Sequence, residues 1–163
     1  MSELENTNEA SIQSLLKNGG VYFNVKGDRP EIIFKSIISK LNFPEDFDTN
    51  KLYEELCHRE ELMSTAVGNG IAIPHPRYPL LTNDADQKLI VCFLDKPVMM
   101  NPPDMRPVYV FFILLTSNTK THLKMLSQLA FLFQKPEFRH LLEQKPSEEE
   151  LLKEITQSLK VEA

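Results

Sequence analysis

Between residues 30 and 41 the apolar side chains Ile33, Phe34, Ile37, Ile38 and Leu41 recur three and four apart. That spacing gathers them on one face of an α-helix. Asp28 is expected to cap this helix and Pro30 to sit inside its first turn. Pro44 breaks the chain. Asp48 opens a second helix, with Leu52, Leu56 and Met63 on one stripe. Ahead of both, a short helix over residues 10–17 is expected to end near Asn18, before the Gly19-Gly20 pair, and a short strand to follow over residues 21–25. The middle of the chain has a different pattern. Residues 71–73, 89–94 and 108–115 are apolar runs between turn-rich segments, and the last two are continuous, as in strands covered on both faces. Helical spacing then returns over residues 120–133, 136–143 and 147–159, where Ser147 and Glu150 have the spacing of a capping box.

Helices before and after a group of buried strands predict an α/β fold, a three-layer sandwich with a mixed β-sheet flanked by helices. The 163 residues suit a single domain, 1–163, with a polar tail over residues 1–10. A net charge of −5 without a basic stripe argues against nucleic acid as a partner, because phosphate backbones need clustered Lys and Arg. The acidic, polar start is unlike a signal peptide, and the most apolar run is too short to span a bilayer. A soluble, cytoplasmic protein with no direct membrane insertion is expected. Cys57 and Cys92 lie far apart and form no CxxC pair, so two reduced thiols are expected rather than a disulfide or zinc site.

The chemistry concentrates in residues 59–77, REELMSTAVGNGIAIPHPR. Gly68-Asn69-Gly70 is a tight turn that could present N–H groups to an anion, with the hydroxyls of Ser64 and Thr65 before it. By itself a plain loop is the better reading of these residues. Pro74 and Pro76 fix φ on either side of His75. A ring held this way can present one nitrogen lone pair while the other nitrogen is tied up as a donor. A surface-loop histidine between turn formers is the plainer reading of the tripeptide alone. Two helices add context. Arg59 shares the stripe of Leu52 and Leu56, and His122 shares that of Leu126, Leu129 and Phe133, within the first turn of its helix, where the helix dipole favours an anion. Together these groups fit an anionic ligand.

At these residues the chain resembles the IIA domains of the bacterial phosphoenolpyruvate-dependent phosphotransferase system, in the fructose/mannitol class that includes the nitrogen-regulatory branch. The matching motifs are ST-x-x-GNGIAIPH ending at His75, RPVYVFFILL from Arg106, and KTHLKMLSQLA from Lys120. The likeness extends over roughly residues 11–159. The resemblance implies that His75 is the phosphorylated nucleophile, His122 the second active-site histidine and Arg59 the basic residue beside the phosphate. Ser64, Thr65, Gly68 and Gly70 are the candidate phosphate-binding residues.

No cofactor and no metal is expected. The implied donor is a histidine-containing phosphocarrier protein, and the implied acceptors are a IIB domain or regulated target proteins. A regulatory, nitrogen-type role is favoured for a IIA domain standing alone. A sugar-specific transport component and a non-catalytic binding module on the same fold are the alternatives. Three departures from the family pattern bear on donor and partner: Ala66-Val67 in place of Gly-Ile, Pro76 in place of a small residue, and Asn101-Pro102-Pro103 in a turn usually richer in aspartate and glycine.

Overall fold

The structure, a computed structural model, describes residues 10–162. The tail expected over residues 1–10 lies outside them except for Ala10. Six α-helices and five strands run along the described residues: α1 Ile12–Gly19, β1 Gly20–Val25, α2 Pro30–Ile38, α3 Thr49–Leu62, β2 Ala66–Gly68, β3 Ile71–Ala72, β4 Lys88–Val98, β5 Val108–Leu115, α4 Thr119–Phe133, α5 Pro136–Glu143 and α6 Glu148–Glu162. The sheet order is β1-β4-β5-β3-β2. The β1/β4 and β3/β5 pairs are parallel, and β4/β5 and β2/β3 antiparallel, so the sheet is mixed.

Alternation along the central strands explains the three layers, because successive strand residues point to opposite faces. Leu89, Val91, Phe93, Phe112 and Leu114 face a core completed by α1, α4, α5 and α6. Ile90, Cys92, Leu94, Phe111 and Ile113 face a second core against Ile33, Phe34 and Ile37 of α2 and Leu52 and Leu56 of α3. Both faces of β4 and β5 are buried, which is why these strands read as continuous apolar runs.

Several boundaries differ from the sequence expectation. Gly19 belongs to α1 instead of following it, and the helix stops one residue later, at Gly20 with φ 94°. Gly19 is required by contact, since a Cβ there would lie 2.1 Å from the Leu89 carbonyl oxygen. Asp28 does not cap α2. The N-cap is Arg29, whose side chain makes no capping bond, and Pro30 at the first helical position has no N–H to satisfy. The same helix ends at Ile38 rather than Leu41, because the amides of Lys40 and Leu41 turn to carbonyls three residues back. Met63 is not on a buried stripe. It lies past the end of α3 in extended conformation, 70% exposed. The short strand β2 had no sequence signal. Asp48 does cap α3, accepting from the Lys51 amide at 3.0 Å, and the Ser147/Glu150 capping box is formed with both bonds. Both cysteines are free, Cys92 buried and Cys57 half-buried. Among the described residues no helix is long and apolar enough to cross a membrane.

Candidate functional site

The site forms where β3 runs out. After Ala72, the Ile73 amide donates to the Thr65 carbonyl at 3.0 Å and the Pro74 carbonyl accepts from the Leu114 amide at 3.0 Å. The chain is therefore held on both sides just before His75. Beyond Leu114, β5 leads within a few residues into α4. This connection brings the start of α4 beside the end of β3. Asn118 caps α4 through the Thr121 amide at 2.7 Å, and His122 occupies the end of the first turn. The His75 and His122 rings meet with centroids 5.0 Å apart at 57°.

His75 Nδ1 lies 2.7 Å from the Ile73 carbonyl oxygen. A carbonyl only accepts, so Nδ1 carries the proton and the Nε2 lone pair is left available. Burial is the main cause that pulls the His75 pKa down, to about 4. The Ile73 hydrogen bond opposes that shift, and the charges of His122 and then Arg59 add to it. Burial also lowers the pKa of His122. Both rings are therefore neutral at physiological pH. Arg59, on α3, directs its guanidinium to the Met63 carbonyl at the turn out of the helix. The space that His122 lines with Phe47, Leu52, Pro76 and Leu114 measures about 10 Å³. That space is too small to hold a sugar.

Arg59, Ser64, Thr65, His75 and His122 thus gather at one end of the sheet. Ser64 Oγ accepts from the Ala66 amide at 3.1 Å, and Thr65 gives both its amide and its hydroxyl to the Glu60 carboxylate, at 2.8 and 2.7 Å. Gly68 and Gly70 are not brought to the rings. The Gly70 carbonyl accepts from the Tyr109 and Val110 amides, whereas Pro74 pairs with Leu114, four residues and about 13 Å further along β5. The turn does hold an anion, but one from the chain itself. Asp104 accepts from the Asn69 amide at 2.8 Å and from the Arg106 amide at 3.2 Å. The Asn69 bond is the main reason its carboxyl titrates lower than usual.

Sequence reasoning missed the Ile73 carbonyl, Glu60 and Asp104. The carbonyl has no side-chain signal, and the two carboxylates are isolated among ordinary surface acids. His58 and His140 are exposed helix residues. Among the described residues no three His, Cys, Asp or Glu side chains gather in a way that could hold a metal ion.

Comparison with known proteins gives the family and the fold. Residues 14–158 match the model of the family described as phosphoenolpyruvate-dependent sugar phosphotransferase system, EIIA 2. A nitrogen regulatory protein of Pseudomonas aeruginosa is 34% identical over 144 residues, which cover 86% of this chain and 91% of the relative. The crystal structure of nitrogen regulatory protein IIA-Ntr from Neisseria meningitidis superposes with a TM-score of 0.72 at 28% identity, covering 88% of this chain and 94% of that one. The fructose-specific EIIABC component of Bacillus subtilis is 27% identical over 150 residues, 90% of this chain and 23% of the relative. With the family model spanning both histidine-bearing segments and a matching fold, the chain belongs to the EIIA type 2 family of the phosphoenolpyruvate-dependent sugar phosphotransferase system.

Proposed function

We propose that this phosphotransferase-system component carries a phosphoryl group on Nε2 of His75, received from a histidine-containing phosphocarrier protein. The observation that carries the reading is the 2.7 Å bond from Nδ1 to the Ile73 carbonyl, which leaves Nε2 as the nucleophilic nitrogen beside His122. In the transfer, the bond between phosphorus and the donor's ring nitrogen breaks, and a bond to Nε2 forms. The donor nitrogen keeps its electron pair. His75 retains its Nδ1 proton, so the product pairs a doubly negative phosphoryl group with a positively charged ring. The Ile73 carbonyl then accepts from a stronger donor.

Such transfers pass through a loose transition state, so the protein contributes mainly alignment and charge stabilisation. Arg59 supplies a fixed positive charge, and His122 a ring able to donate to a phosphoryl oxygen. Ser64 keeps its own hydroxyl proton for the same use, since its oxygen accepts from Ala66. Gly68 and Gly70, at the far end of β3, have no place in this reading.

The donor and acceptor are read as proteins. Exposed Leu62, Met63, Tyr78 and Leu123 adjoin the site residues in the chain, and a rim of apolar side chains around a polar centre suits protein docking. The likeness to nitrogen regulatory proteins supports a regulatory role in the cytoplasm, acting on target proteins. The likeness to a fructose-specific EIIABC component supports a second reading, donation to a IIB domain in sugar uptake. We read residues 1–163 as one domain.

The test is incubation with phosphoenolpyruvate, enzyme I and the carrier, followed by phosphosite mapping. One phosphoryl group on His75 is expected, and none in His75→Ala. Incorporation that persists in His75→Ala overturns the reading. A wild-type chain that takes up no phosphoryl group while binding its partner would instead be a non-catalytic module.

A further inference from the structure

The geometry points to Glu60 as a positioning residue for the reaction at His75, acting through Thr65 and Ile73; this rests on His75 being the phosphoryl acceptor. Four hydrogen bonds connect them. Glu60 Oε2 accepts from the Thr65 amide at 2.8 Å, and Oε1 accepts from the Thr65 hydroxyl at 2.7 Å. The Thr65 carbonyl accepts from the Ile73 amide at 3.0 Å. The Ile73 carbonyl accepts from His75 Nδ1 at 2.7 Å.

The last bond selects the tautomer, and the first three hold its acceptor from the α3 side, opposite the Pro74–Leu114 bond. Strand β3 ends at Ala72, and beyond it Ile73 is held by the bond from its own amide to Thr65, by its buried side chain and by the Leu114 amide on the next carbonyl, that of Pro74. Thr65 in turn lies between α3 and β2, outside both. It is 5% exposed. A carboxylate that accepts both an amide and a hydroxyl from one residue fixes that residue in place as well as in orientation. Glu60 adjoins Arg59 on α3, so a single turn of helix supplies the fixed cation and also anchors the carbonyl that orients the imidazole. If the anchor is lost, the Ile73 carbonyl can drift, and the ring gains the alternative tautomer with the proton on Nε2. In that form the nucleophilic lone pair is gone from the position facing the donor.

The experiment compares wild type with Glu60→Ala, Glu60→Gln and Thr65→Val. The His75 tautomer is read from ring nitrogen shifts by NMR, and the rate of phosphoryl uptake is measured on the same samples. Glu60→Ala is expected to raise the fraction of ring with an unprotonated Nδ1 and to slow uptake about tenfold to a hundredfold, the scale of a small misplacement of a reacting group. Glu60→Gln keeps an acceptor oxygen and is expected to restore most of both. Thr65→Val, which loses one of the two bonds, should fall between them and decides the matter if Glu60→Ala does not fold. A variant with lowered thermal stability but wild-type tautomer and uptake rate overturns the proposal. Absence of phosphate on wild-type His75 would instead overturn the reading beneath it, whatever the tautomers show.

Discussion

The role proposed for His75 requires a ring without positive charge. Burial and the neighbouring charges of His122 and Arg59 hold its pKa near 4, so the ring stays a neutral nucleophile far below physiological pH. Uptake of phosphate by His75 should therefore remain insensitive to its own titration from pH 8 to about 5, and fall as the ring protonates near 4. Uptake rates with a donor held saturating at each pH check this. On the proposed reading, His122 behaves in the opposite way once a phosphoryl group is on His75. A dianion beside its ring raises its pKa from the lowered value of the free protein, and a proton NMR titration of both forms should show that rise. His122→Ala is expected to leave acceptance intact while slowing onward transfer, as followed by chase of labelled protein with the next acceptor. Normal onward transfer would remove His122 from the account. Arg59→Met is expected to lower the uptake rate about a hundredfold, the scale reported by loss of one preorganised charge-stabilising group. The imidazole and its flanking prolines were legible in the sequence, because each is a side-chain signal. The carbonyl that fixes the tautomer was not, because any residue supplies one.

At the scale of elements, helix ends and close contacts carry the testable energetics. Asp48→Ala removes the oxygen that accepts from Lys51 at the start of α3 and is expected to cost about 1 kcal/mol of stability, read from chemical denaturation. Gly19→Ala would press a Cβ against the backbone of Leu89, in β4. The strand has cores on both sides and cannot yield freely, so a loss of about 1–3 kcal/mol is expected. Elements with plain local bounds, such as β5, a continuous apolar run, and the helix opened by Pro136, matched the sequence expectation to the residue. The errors fell where tertiary contact overrides local signal. Gly19 reads as a stop but is a contact glycine, and Asp28 reads as a cap but stands one residue early. Strand β2 exists only because β3 is there to pair with it.

For the molecule as a whole, crossover from β5 into α4 explains why histidines 47 residues apart in sequence meet at one end of the sheet. Their joint presence had been inferred from inward-facing stripes and from family resemblance, and neither reveals which turn residues share the end with them. The glycine turn was expected beside the phosphate, and it lies about 13 Å along the strand, occupied by Asp104. The depressed His75 pKa also bears on folding. An unfolded imidazole takes up a proton near pH 6.5 and the folded one only near 4. The unfolded state therefore binds more protons between those values. Stability is full above about 6.5 and declines as pH falls through 4. His75→Ala should lose that part of the acid sensitivity in urea titrations. The central claim is the identity of the nitrogen that carries phosphorus. Phosphorylated protein with nitrogen-15 in its histidine rings, followed by phosphorus–nitrogen coupling in NMR, tests it directly. Coupling to Nε2 of His75 is the result predicted here; coupling to Nδ1, or to any other residue, would contradict it.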